Sequence, residues 1–182
     1  MGRLRAASAY RVVKRPYTRI SRKRAKAYVK GAPNVKVVQF DMGDRINSQS
    51  LPYELQLCSA RKLQIRDNAL EAARQTAVRA LEKQAKTGWA LKIRAVPHHV
   101  IRERAMATAA GADRFSQGVA LSFGSPVGHA VQVKPGMILM SFYVGRELIS
   151  TAKEAARKAA AKFPMRCAVK ILDSKTRKEV TL

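Results

Sequence analysis

The amino-acid sequence predicts an α+β fold, a two-layer sandwich of mainly antiparallel sheet with two helices, carrying a basic N-terminal arm and a long internal loop. Three observations predict it. Alternating apolar runs are separated by short Gly- and Pro-containing turns, two helical stripes follow runs of strands, and the first stretch of chain has no acid at all. Short turns join antiparallel neighbours, whereas a doubly wound sheet needs a crossover helix between successive parallel strands.

The arm comes first. Before Asp41 the chain carries Arg3, Arg5, Arg11, Lys14, Arg15, Arg19, Arg22, Lys23, Arg24, Lys26, Lys30 and Lys36, which supply half of the formal net charge of +24. Tyr10, Tyr17 and Tyr28 are interleaved with them, and Pro16, Gly31 and Pro33 interrupt any regular element. Such a segment buries too little apolar surface to offset its ordering entropy, so it is expected to order only against a partner. Arginine forks and tyrosine faces suit irregular RNA. The candidate RNA-binding residues are therefore Arg3, Arg5, Arg11, Lys14, Arg15, Tyr17, Arg19, Arg22, Lys23, Arg24 and Lys26. The alternative for the arm is a solvated charge run without specificity.

From residue 34 the pattern becomes globular. Val35 and Val37 alternate with Lys36 and Val38, predicting a strand that ends at Asp41-Met42-Gly43-Asp44. Tyr53, Leu55 and Leu57 alternate with Glu54, Gln56 and Cys58 in a second strand. Asp67 is placed to cap a helix whose stripe is Leu70, Ala73, Ala77, Val78 and Leu81, with Arg74, Arg79, Glu82 and Lys83 outward and Gly88 closing it. A strand from Trp89 to Ala95 breaks at Pro97 and resumes through His98 to Arg102. Residues of about 103–118 follow neither period and read as a long loop. Three further strands are expected at about 119–123, 130–133 and 137–144, separated by turns at Gly124-Ser125-Pro126-Val127-Gly128 and Lys134-Pro135-Gly136. A second helix runs to Lys162, with Thr151 and Glu154 at capping-box spacing and Phe163-Pro164 ending it. A last strand covers 166–172. The division is an arm at 1–33, a sandwich domain at 34–172 and a solvated tail at 173–182.

Composition limits function. At 182 residues the chain can bury a sizeable core without staples. Lys and Arg total 36 against 12 acids, with a pI near 11.0, so the chain repels itself and calls for a polyanion. No apolar run approaches the roughly 20 residues that cross a bilayer and no secretory segment opens the chain, so no membrane partner and an intracellular place are expected. Cys58 and Cys167 lie far apart without histidines at ligand spacing, which favours reduced, buried thiols and no metal. His98, His99 and His129 form no zinc-protease pair and accompany no nucleophile motif. Gly124-Ser125-Pro126-Val127-Gly128 lacks the Gly-Lys-Ser/Thr ending of a phosphate loop. No catalytic residue, no cofactor and no enzyme activity is expected. In the loop, Gly111 permits close backbone approach while Arg114 can fork onto phosphate, with Arg102 and Arg104 leading in and Gln117 leading out.

Several motifs occur in one order: Arg15-Pro16-Tyr17, Phe40-Asp41-Met42-Gly43, Ala69-Leu70-Glu71-Ala72-Ala73-Arg74, Pro97-His98-His99-Val100-Ile101-Arg102 and Ala110-Gly111-Ala112-Asp113-Arg114. Phe123-Gly124, Pro126, Gly128, Lys134-Pro135-Gly136 and Ala159-Ala160-Ala161-Lys162-Phe163-Pro164 follow. Across nearly its whole length the chain resembles the universal large-subunit ribosomal protein family called L-sixteen in bacteria and L-ten-e in archaea and eukaryotes, in its archaeal form. The resemblance implies a structural constituent of the large ribosomal subunit, cytoplasmic and free of catalysis, bound to large-subunit rRNA near the aminoacyl-tRNA site. It implies neighbouring ribosomal proteins as partners, no homo-oligomer, and an internal loop directed toward tRNA and the peptidyl transferase centre. The loop role is carried to Arg102, Arg104, Gly111, Asp113, Arg114 and Gln117. Ala120, Ser125 and Gln132 depart from the basic residues usual in the family and receive no such role. The alternative is a free-standing basic nucleic-acid-binding protein, although no helix-turn-helix, zinc-finger or zipper pattern is present.

Overall fold

The computed structural model describes residues 5–13, 23–27, 29–44, 46–48, 50–104, 124–174 and 176–180. Among them the elements run β1 (Asp41–Gly43), β2 (Tyr53–Ser59), β3 (Leu63–Arg66), α1 (Asp67–Gln84), β4 (Trp89–Ile93), β5 (His99–Glu103), β6 (Ser125–Val133), β7 (Ile138–Val144), α2 (Ile149–Ala160) and β8 (Cys167–Asp173). One sheet has the order β1-β4-β7-β2-β8, the other β3-β6-β5, and every pairing is antiparallel. The predicted α+β class with two helices is what forms.

The core follows from the two periodicities. Leu55 stands opposite Phe142 on one side and Ile171 on the other, and Phe142 in turn opposite Leu91, so these side chains share the face that the helices cover. Leu70, Ala73, Ala77 and Leu81 bury one stripe of α1, and Ala152, Ala155, Ala156 and Ala159 one stripe of α2. With alanine on both facing stripes, the helices approach closely and pack on each other as well as on the sheet. Phe142 is fully buried at the centre, where truncation to alanine would cost about 3–5 kcal/mol.

Several boundaries differ from the sequence reading. Residues 35–40 are not a strand, because α1 supplies their hydrogen bonds: Lys36 N–H donates to Asp67 Oδ2 at 3.1 Å and Val38 N–H to Glu71 Oε2 at 3.3 Å. Only Asp41–Gly43 joins the ladder. Gly43 is required there, since its φ is +76° and a Cβ would collide with the Trp89 carbonyl. Asp67 is the first helical residue rather than the cap; Arg66 holds the cap position, and Asp67 ties down the incoming chain instead. β3 was not anticipated, because four residues flanked by a tight turn and a helix give the alternation little length. The helix ends at Gln84, four residues before Gly88.

The Gly124 to Gly128 turn is a further correction, since β6 begins at Ser125 and pairs with β5. Pro126 is tolerated beside a register shift between Ile101 and Arg102, where regular ladder bonding is already broken. The strand expected at 119–123 lies outside the described residues. Thr151 and Glu154 make no capping box: α2 begins at Ile149, and Glu154 instead pairs with Lys158 at 2.7 Å. The tail is not simply solvated, because Glu179 bridges to Leu172 and Val180 N–H donates to the Ile171 carbonyl. Cys58 is buried, Cys167 is half-buried, and both are free.

Candidate nucleic-acid interface

Residues 5–13 run along the domain rather than standing apart from it. The Gln64 N–H donates to the Arg11 carbonyl at 3.1 Å and the Gln64 side-chain amide to the Tyr10 carbonyl at 3.2 Å, so the segment lies beside β3. Arg66 donates to the Arg5 carbonyl at 2.7 Å and stacks its guanidinium 5.3 Å from the centre of the Tyr10 ring. Tyr10 donates its hydroxyl to Glu103 at 2.9 Å. Burial first, and then the Glu103 carboxylate, push this phenol above its ordinary value of 10.0, so it remains a donor.

Between this segment, the first turns of α1 and the chain just after α2 lies a groove of about 460 Å³. Arg5, Arg11, Arg66 and Lys162 line it together with the ring of Phe163, and no carboxylate lines it among the described residues. Four cations from three separate stretches of sequence thus converge on one concavity. Such an arrangement attracts phosphate, because guanidinium groups can fork onto its oxygens and the like charges relax when an anion enters.

The loop stem adjoins this groove. Arg5 pairs with Glu103 at 2.5 Å and donates to the Arg104 carbonyl at 3.4 Å. Arg102 donates to the Gly124 carbonyl at 2.9 Å, so its guanidinium ties the outgoing chain to the point where the described chain returns. Gly124 has φ +75°, and a Cβ there would meet the Glu103 backbone at 2.8 Å. The stem is held by geometry that only glycine permits.

Of the predicted arm residues, Arg5 and Arg11 line the groove, while Lys23 and Lys26 are exposed around a short 3-10 turn that also contains Arg24. Arg3, Lys14, Arg15, Tyr17, Arg19 and Arg22 lie outside the described residues, as do Gly111, Asp113, Arg114 and Gln117 of the loop. The outward role given to Arg74 is corrected: its guanidinium is largely buried and bonded to Glu71 at 2.6 and 2.9 Å. Sequence reasoning missed Arg66, Lys162 and Phe163 as groove residues. Their only signal was position, each next to a helix end.

Two of the three histidines, His99 and His129, are held within the fold. His129 is buried with Nε2 2.6 Å from the Pro33 carbonyl, which pins the end of the arm to β6. His99 is pushed below the usual imidazole range by burial, and its Nδ1 accepts from the Gln132 amide at 3.2 Å. Among the described residues no group of three or more His, Cys, Asp or Glu side chains is placed to hold a metal, and no helix is long and apolar enough to cross a membrane.

The fold and this surface define a class: a small, strongly basic α+β sandwich whose described side chains offer anion contacts rather than a nucleophile with its base. Comparison with known proteins gives the family. The family described as ribosomal protein L16p/L10e matches residues 14–170. The large ribosomal subunit protein uL16 of Archaeoglobus fulgidus is 46% identical over 159 residues, covering 87% of each chain. That of Caldivirga maquilingensis is 43% identical over 183 residues and 97% of each chain, and that of Methanococcus maripaludis 40% identical over 168 residues, 91% of this chain and 92% of its own. The chain belongs to the ribosomal protein L16p/L10e family, a family of structural, non-enzymatic ribosomal components.

Proposed function

We propose that this protein is a structural constituent of the cytoplasmic large ribosomal subunit that binds large-subunit rRNA through its basic arm and the groove beside it. The loop of about 103–118 then helps form the tRNA-binding region near the peptidyl transferase centre. Neighbouring ribosomal proteins are its protein partners, and no membrane or second copy is needed. The observation that carries the reading is the groove where Arg5, Arg11, Arg66 and Lys162 converge beside the loop stem. Phosphate bound there would fix the arm and the stem at once, because Arg5 belongs to both. Residues 1–33 act as the rRNA-binding arm, and Arg102 and Arg104 deliver the loop whose contacts are assigned to Gly111, Asp113, Arg114 and Gln117.

The test is sedimentation together with salt dependence. The protein should remain with large subunits in high salt, and binding of the purified protein to rRNA fragments should weaken with salt by a slope of roughly 0.7 to 0.9 per phosphate contact. Deleting residues 1–33 should flatten that slope. Co-purification with DNA instead of large subunits would favour a free-standing nucleic-acid-binding protein.

A further inference from the structure

The outer face of the five-stranded sheet, turned away from the helices, carries a second concavity of about 600 Å³. Strand register builds it: Glu54 on β2 stands opposite Tyr143 on β7, and Ser141, two residues earlier on β7, stands opposite Lys92 on β4. Arg94 follows β4 and forks its guanidinium onto Tyr143 Oη at 2.9 Å and Ser141 Oγ at 3.3 Å. Glu54 is only 8% exposed, yet its Oε1 accepts no hydrogen bond from the described residues. Among the described residues, Arg94 Nη2 stands 3.7 Å away, close enough for attraction and too far for a bond. A buried carboxylate oxygen without a donor is costly, and such an atom in a native structure calls for an explanation.

The surroundings say what kind of donor would satisfy it. Lys92, Arg94 and Arg177 line the same cleft against the carboxylates of Asp41 and Glu54, with Asp41 3.6 Å from Lys92, so the lining is net positive and disfavours a metal cation. The fitting ligand carries N–H donors on one edge and negative charge elsewhere. Nucleotides have this character, and among the bases guanine matches best. Its N1–H and N2–H lie side by side and can donate to a carboxylate, while O6 beside them can accept from a guanidinium such as Arg94. Adenine and cytosine place a ring-nitrogen acceptor next to their amino group, where the carboxylate repels it. Uracil offers one N–H between two carbonyls.

We propose that this cleft holds a single unstacked guanine of an RNA strand, with Glu54 reading its Watson–Crick edge, Arg94 its O6, and Lys92 and Arg177 the flanking phosphates. The inference rests on the RNA-binding reading above but concerns the opposite side of the molecule from the cationic groove. Bases taken out of a stack are commonly read in this way, by hydrogen bonds to the Watson–Crick edge against an aromatic wall. Tyr143 provides that wall.

The experiment titrates the full chain with UUUGUUU, with UUUUUUU and its A- and C-centred counterparts, and with free GMP. The G-centred strand should bind about tenfold or more tighter than the other three, and far tighter than GMP. Glu54→Ala should abolish that preference, because it removes the acceptor of the guanine donors, while leaving the salt-dependent binding of UUUUUUU unchanged. An unchanged thermal midpoint and an intact Tyr143→Phe control establish that the sheet still forms. No preference for guanine, or a preference that survives Glu54→Ala, overturns the site. Equal affinity for GMP overturns its assignment to RNA. Loss of salt-dependent binding to every strand by the unaltered protein would instead sink the rRNA-binding reading.

Discussion

Arg5 and Glu103 meet in an ion pair that joins the N-terminal segment to the stem of the internal loop. Glu103 also accepts from Tyr10, so one carboxylate holds two points of the segment. Arg5 is half exposed, and exposed pairs contribute at most about 1 kcal/mol. Glu103→Ala is therefore expected to leave the thermal midpoint within a few degrees of the parent while loosening residues 5–13 locally. Amide exchange at Gln64, whose N–H is bonded to Arg11, reports that loosening. Unchanged protection at Gln64 would show that the segment is held without Glu103.

A second carboxylate controls acid stability. Glu71 accepts two hydrogen bonds from Arg74, one from Gln75 and one from the Val38 N–H. The Arg74 bonds hold its carboxyl below the ordinary 4.5, against the opposing effect of burial. The folded value is thus lower than the unfolded one, so the unfolded chain takes the proton first. The contribution is present above the unfolded value and is lost as pH falls through the folded value, in the window from about 4.5 downward. Glu71→Gln should cost about 2 kcal/mol at neutral pH and flatten the stability curve in that window, read by denaturant unfolding at several pH values. An unaltered acid limb would place the acid-sensitive group elsewhere.

The thiols should be inert in the folded protein. Burial, with a smaller effect from Cys58, pushes the Cys167 thiol up to about 11, and burial also raises Cys58. Because the thiolate is the reactive form, neither should be alkylated appreciably by iodoacetamide at pH 8 until the chain unfolds. Rapid labelling of either cysteine in the native protein, followed by mass spectrometry, would contradict this.

The elements legible in the sequence were those whose own residues decide them. β2 and β4 show a readable alternation, β7 is an apolar run bounded by a turn, and the stripe Leu70 to Leu81 marks the first helix. Residues 35–40 were misread because Val35 and Val37 mimic a strand, whereas the competing partners, Asp67 and Glu71, sit about thirty residues away. Arg74 was misread because helical spacing does not reveal that Glu71 turns a cation inward. The groove was half legible: a basic arm is visible in composition, but Arg66 and Lys162 join it only through the chain path.

The chain leaves the sheet after Glu103 and returns to it at Ser125, directly opposite, and this decides how the expected loop of about 103–118 should respond to shortening. Glu103 and Ser125 are paired across β5 and β6, and Arg102 reaches the Gly124 carbonyl, so the points where the chain departs and returns are held together by the domain itself. Loop-closure cost changes slowly with length, by roughly 0.6 kcal/mol per doubling, so removing a few residues from the middle changes stability little. Deleting residues 109–115 is therefore expected to leave the thermal midpoint nearly intact and rRNA binding in place. Gly124→Ala should behave oppositely. It forces an L side chain into φ +75° and against the Glu103 backbone, lowering the midpoint although no loop residue is lost. Function should show the reverse order: subunits carrying the deletion should assemble incompletely or bind tRNA poorly. Arg114→Ala should give a milder defect, since one charge-assisted contact contributes about 1.5–3 kcal/mol. Subunits with the deletion that mature and translate at normal rates would sink the tRNA-site role, and a collapsed midpoint would show that the segment packs as core.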